Sequence, residues 1–181
     1  MENFEELIDK LKKRGVEFSE GLSDSEIYAI EGEFDFTFPE DFRLFLHTAV
    51  PRGDAFVDWR SMQDVRKRMD SVWEGISFDI QRNSFWYKGW GEKPASLEEQ
   101  LRVAKEHYNS YPKLIPIYSH RYIPSPPTSA GNPVFSVCGT DIIYYGYDLT
   151  SYFEHEFDFR TYNSIFSEEH PFRRIPFWSE F

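Results

Sequence analysis

The stretch from Leu114 to Phe157 constrains the fold of this chain more than any other. It holds three short runs rich in β-branched and aromatic residues: Leu114–Tyr118, Val134–Val137 and Ile142–Tyr145. The loop Pro124–Pro133 separates the first two, and the turn Cys138–Asp141 the last two. Runs of this kind bounded by Pro, Gly, Ser and Asn read as strands joined by turns. Asp148 then offers an N-cap for a segment carrying Tyr152, Phe153 and Phe157. A sheet with a helix behind it is therefore the frame that the rest of the chain must cover.

Upstream, the pattern turns helical. Phe4, Leu7, Ile8 and Leu11 share one face of a helix over residues 3–14, which Gly15 stops. Val16-Glu17-Phe18 reads as a brief extended link. Ser23 and Glu26 form a capping box in which each satisfies the other's exposed backbone N–H, and Ile27, Ile30 and Phe34 then follow on one side. Pro39-Glu40-Asp41 opens a third helix, with Pro in the first turn and carboxylates at the positive dipole end. Ala55–Trp59 reads as a full strand. Ser61 caps a long helix whose inner stripe is Met62, Val65, Met69, Val72, Trp73 and Ile76. Residues 78–95 crowd Phe85, Trp86, Tyr87 and Trp90 among Gly and polar residues, which reads equally as a packed lid over the sheet edge or as a rigid aromatic platform for a partner. Ser96 and Glu99 then cap a helix with Leu97, Leu101, Ala104 and Tyr108.

The segment LSDSEIYAIEGEFDFTFPEDFRLFL, Leu22 to Leu46, resembles the opening signature of the Smi/Knr family within the SUKH superfamily. The resemblance rests on a capped helix with an internal Glu31, followed by the helix start Pro39-Glu40-Asp41-Phe42-Arg43. Where that family usually has an Asn-Gly-Gly type turn and a strand, this chain has Thr48–Asp54. The resemblance implies helices packed on a mixed sheet. It also implies an immunity protein that binds and neutralises a toxin, often a nuclease, as bacterial members are widely seen to do, or an adaptor, as in fungal members. With the periodicities, this gives an α+β fold: N-terminal helices on a single twisted, mainly antiparallel sheet. One SUKH-like domain is expected over 1–181, its tail from about residue 159 packed back on it.

Charge and chemistry narrow the function further. The chain carries 31 acidic and 20 basic residues, a net charge of −11, which repels phosphate backbones and favours a basic protein partner. Solubility alone explains such a charge equally well. The one cysteine, Cys138, reads as a half-buried small residue and fits a reducing compartment. No apolar run reaches the roughly 18 residues of a membrane span, and the acidic N-terminus lacks the pattern of a signal peptide, so the expected location is cytoplasmic.

No phosphate loop, nucleophile elbow or H-E-x-x-H pattern is present, and no cofactor or metal is implied. Glu154-His155-Glu156 with Asp158 would fan around a helix rather than converge on a metal. The expected function is therefore non-enzymatic binding through an exposed aromatic and polar groove. Its candidate contacts are Trp59, Arg60, Trp86, Tyr87, Trp90, His120, Arg121 and Tyr122. The alternatives are a small-molecule enzyme using His120 with Asp141 or Asp148, and a structural adaptor.

Overall fold

The structure, a computed structural model, describes residues 4–166 and 172–180. Its centre is an antiparallel four-stranded sheet in the order β3 (Lys113–Tyr118), β4 (Arg121–Ser125), β5 (Val134–Cys138) and β6 (Asp141–Gly146). Neighbouring residues along a strand point to opposite faces, and here both faces are buried. Ile115, Ile117, Ile123 and Val134 face one apolar cluster, with α1 (Glu5–Lys13), α2 (Asp24–Phe34), α3 (Glu40–Thr48) and α6 (Leu149–Glu156). Leu114, Tyr122, Phe135, Val137 and Ile142 face the other, with α4 (Met62–Arg82), α5 (Leu97–Ser110) and the C-terminal tail. The fold is α+β, with the sheet held between helical layers rather than covered by the N-terminal helices alone. A short α7 (Tyr162–Ile165) contacts α6.

A second, two-stranded sheet was not expected. β1 (Glu17–Glu20) pairs with β2 (Ala49–Arg52), so the segment read as a link and the residues after α3 both become strands. Pro51, opposite Phe18, is tolerated because a two-stranded ribbon consists of edges. The Ser23–Glu26 capping box forms as the sequence dictates, and Ser61, Ser96 and Asp148 cap α4, α5 and α6. Glu31 accepts a hydrogen bond from the backbone N–H of Phe38 at 2.9 Å and from Arg43 at 3.0 Å, fixing the entry to α3.

Ala55–Trp59 is not a strand. Only an isolated bridge joins Phe56 to Tyr118. Arg68 on α4 donates to the carbonyls of Asp54, Ala55 and Phe56, and among the described residues only that of Ala55 also accepts a backbone bond, from the Ser119 N–H at 2.7 Å, so the pairing does not extend into a ladder. Conversely, β4 is a strand in a stretch that the sequence leaves unassigned up to Pro124 and gives to a loop from there. Its Pro124 lies opposite Leu114, while β5 pairs only with Arg121 and Tyr122, so the missing N–H interrupts no ladder.

Helix α4 runs to Arg82, beyond the Ile76 at which its inner stripe was read to end, and crosses the sheet close to the β5–β6 turn. Gly139 in that turn has φ of +62°, and a Cβ on Gly75 would stand 2.8 Å from the Gly139 Cα. Asp79 locks this approach by accepting from the N–H and hydroxyl of Thr140. In the tail Ile175, Phe177 and Trp178 are buried, and the Trp178 indole donates to the carbonyl of Pro112. Pro171 and the side chain of Tyr162, read as part of that packing, lie outside the described parts of the chain. The loop between β4 and β5 is tied down by Asp41, which accepts from Gly131 N–H, by the buried Asn132 and by Arg173. Among the described residues, no helix is long and apolar enough to cross a membrane.

Candidate functional site

The expected contact residues do not share a surface. Trp59 is 2 % exposed and packs its ring against Phe38 and Phe42 inside the first core. Arg60 beside it is committed to Glu26 at 2.7 Å and to the carbonyls of Glu20 and Gly21. Tyr122 is buried under α4, its hydroxyl donating to the Arg68 carbonyl. Arg121 is buried as well. It pairs with Glu156 at 2.9 Å, donates to Ser136 and lies 3.7 Å from the Tyr145 ring centroid.

The aromatic stretch forms an internal block, not a platform. Trp90 is 5 % exposed and edge-on to Phe85, Trp86 and Tyr87. It also stacks on His107 and Phe177, and its indole donates to the Tyr111 hydroxyl at 3.0 Å. Trp86 and Tyr87 are half-buried, Trp86 donating to the Gly91 carbonyl and Tyr87 to Glu180. Large rings with few backbone constraints collapse onto one another and onto a tail rich in rings, because that removes the most apolar area from water.

The histidine alternative separates for a similar geometric reason. The His120 carbonyl accepts from Val137 N–H near the β5–β6 turn, whereas Asp148 lies beyond Gly146 at the opposite end of β6. Five residues of strand span about 17 Å. Asp148 is moreover occupied as the N-cap of α6, accepting from Ser151 N–H at 2.7 Å. Asp141 is at the correct end but on β6, one strand removed from β4, which places the two chains about 10 Å apart. His120 itself bonds Ser119, and burial together with the Arg121 charge lowers its pKa. Cys138 is exposed rather than half-buried. Among the described residues no group of His, Cys, Asp and Glu converges as a metal site.

What the fold does create is a cleft of about 470 Å³ where α2, α4, α5 and the start of β3 meet. Phe34, Met69, Tyr108, Tyr111, Leu114 and Trp178 supply its apolar lining. Tyr108 and Tyr111 stand edge-on to Trp178, so the aromatic block and the tail form the wall behind it. Burial, with Asp70 and Tyr122 nearby, pushes the Tyr108 hydroxyl up to about 12. Burial also raises Tyr111.

The charges around the cleft are mostly committed to one another. Arg66 pairs with Glu33 and lies over the Phe34 ring at 5.1 Å. Lys113 donates to Asp35 at 3.0 Å and to the carbonyls of Phe34 and Asp35, which neutralises the C-terminal end of α2. Asp70 lines the cleft and makes no direct ion pair among the described residues. Next to it, Lys105 sits over Trp73 at 4.4 Å and Tyr108 at 4.7 Å. Burial lowers its pKa, and the Asp70 charge opposes that shift.

These lining residues come from separate elements, so periodicity treated each as the core face of its own helix. The one local signal was the run Tyr108–Lys113, in which rings, an amide and a cation crowd the exit from a helix into a strand. No family model, curated protein or solved structure matches this chain.

Proposed function

We propose that this chain is a non-enzymatic protein-binding domain, an immunity protein of the SUKH type that neutralises a basic toxin domain in the cytoplasm. The observation that carries the reading is the surplus of negative charge on the surface. Glu17, Glu20, Asp54, Asp70, Glu74 and Asp141 are exposed and make no direct ion pair among the described residues, on a chain of net charge −11. Such a field steers a basic protein into contact and speeds the encounter. The resemblance over Leu22–Leu46 agrees with it, since its distinctive residues hold the N-terminal helices together: Ser23 with Glu26, and Glu31 with Phe38 and Arg43.

The test is capture of partners on the tagged chain at low salt, followed by expression of each captured basic protein in a growth assay. A partner that arrests growth alone and does not when co-expressed with this chain supports the proposal. Captured proteins whose expression is harmless, or whose toxicity the chain leaves unchanged, overturn it.

A further inference from the structure

We infer that the cleft between α2, α4 and α5 is the pocket that takes an arginine side chain from the partner, an inference that rests on the protein-binding reading above. Three features of the cleft fit a guanidinium. Its walls are ring faces and edges, from Phe34, Tyr108, Tyr111 and Trp178, and aromatic faces attract cations through their quadrupole. Two of these rings already hold a cation on one face, Arg66 over Phe34 and Lys105 over Tyr108, which leaves Tyr111 and Trp178 to the incoming group. The rim is anionic: Glu33, Asp35 and Asp70 outnumber Arg66 and Lys113, and each of those two cations is held by its own carboxylate.

Asp70 is thus the carboxylate without a direct counterion, beside the rings. Lys105 offsets part of its charge from a distance, and burial among rings lowers the proton affinity of that amine. A guanidinium entering the cleft stacks on a ring while its N–H fork reaches the carboxylate of Asp70, a pairing that a lysine ammonium makes less well. At about 470 Å³ the cleft lies within the range of ~300–1,000 Å³ usual for ligand pockets. An acidic or neutral side chain would meet the Asp70 charge without repaying its desolvation.

The pocket is tested with a defined probe, N-acetyl-argininamide, titrated into the isotope-labelled protein and followed by amide and indole NMR shifts. N-acetyl-glutaminamide serves as the uncharged control. Saturable shifts confined to Trp178, Asp70, Tyr111 and Lys113, absent with the control and at least about tenfold weaker in Asp70→Asn, are the expected result. Shifts scattered over the acidic surface without saturation, or unchanged by Asp70→Asn, overturn the inference. Asp70 is exposed, so the variant should keep the parent melting temperature, which is checked alongside. The two proposals fail separately. Protection from a captured toxin that survives Asp70→Asn and Tyr108→Leu removes this pocket and leaves the immunity reading. Probe binding without any neutralised toxin removes that reading and leaves the pocket.

Discussion

Replacing Trp90 by alanine should unfold the protein at a much lower temperature. The side chain is 5 % exposed and lies among Phe85, Trp86, Tyr87, His107 and Phe177. Removing a buried Trp forfeits its transfer energy and leaves a cavity, about 3–5 kcal/mol. For a domain of this size each kcal/mol is worth about 2–4 °C, so the fall should be roughly 6–20 °C. Trp90→Phe separates packing from hydrogen bonding. It keeps most of the ring but leaves the Tyr111 hydroxyl without its donor, at about 1–2 kcal/mol. Far-UV circular dichroism is the suitable readout, because the substitution itself alters the fluorescence. A Trp90→Ala protein melting within about 2 °C of the parent would mean that the aromatic block is not packed as described, and would return Trp90 to the list of surface contacts.

Other substitutions probe separate parts of the fold. Glu31→Ala strands the Phe38 N–H and leaves Arg43 with only Asp24 at 3.7 Å and the Tyr28 ring among the described residues, and should cost about 1–3 kcal/mol in denaturant unfolding, with Glu31→Gln losing less because it still accepts from Phe38. Gly75→Ala, normally favourable in a helix, should instead destabilise by about 1–3 kcal/mol, since its Cβ meets the Gly139 backbone at 2.8 Å. Tyr152→Phe should raise stability by about 1 kcal/mol, because the Tyr152 hydroxyl is buried with no hydrogen-bond partner among the described residues. Ser23 and then Arg60 lower the Glu26 carboxyl to about 2, below its unfolded value. That contribution is present above the ordinary carboxylate range and lost as pH falls from about 4.3 towards 2, so Glu26→Gln should flatten the acid limb of a stability–pH curve.

The sequence was legible wherever a local rule sufficed. Ser23, Ser61, Ser96 and Asp148 cap helices because capping is settled within a few residues, and the runs at Leu114, Val134 and Ile142 became strands for the same reason. Errors arose where a distant group decided the outcome. Arg68 took the carbonyls of Asp54 and Phe56 and shares that of Ala55 with the Ser119 N–H, so pairing stops at one bridge, and β2 turned Glu17–Glu20 into a strand by lying beside it. The site reading failed by the same mechanism. Trp86, Tyr87 and Trp90 read as a platform as readily as a packed lid, because their neighbours in sequence are Gly and polar. The groups that cover Trp90, among them His107 and Phe177, come from α5 and the tail.

This inward collapse of the rings has a functional consequence. The Trp90 indole donates to Tyr111, and Tyr111 stacks on Phe177 with a centroid distance of 4.0 Å and near-parallel planes. Tyr111 and Trp178 are in turn the rear wall of the cleft. A wall fixed from behind holds its ring faces in place before a ligand arrives, which reduces the ordering cost of binding. Substitutions in the block should therefore couple to the cleft. Trp90→Phe, folded but missing the bond to Tyr111, should weaken N-acetyl-argininamide binding by about twofold to fivefold without touching the probe. Equal affinity in the parent and in Trp90→Phe would show that the rear wall needs no support from the block.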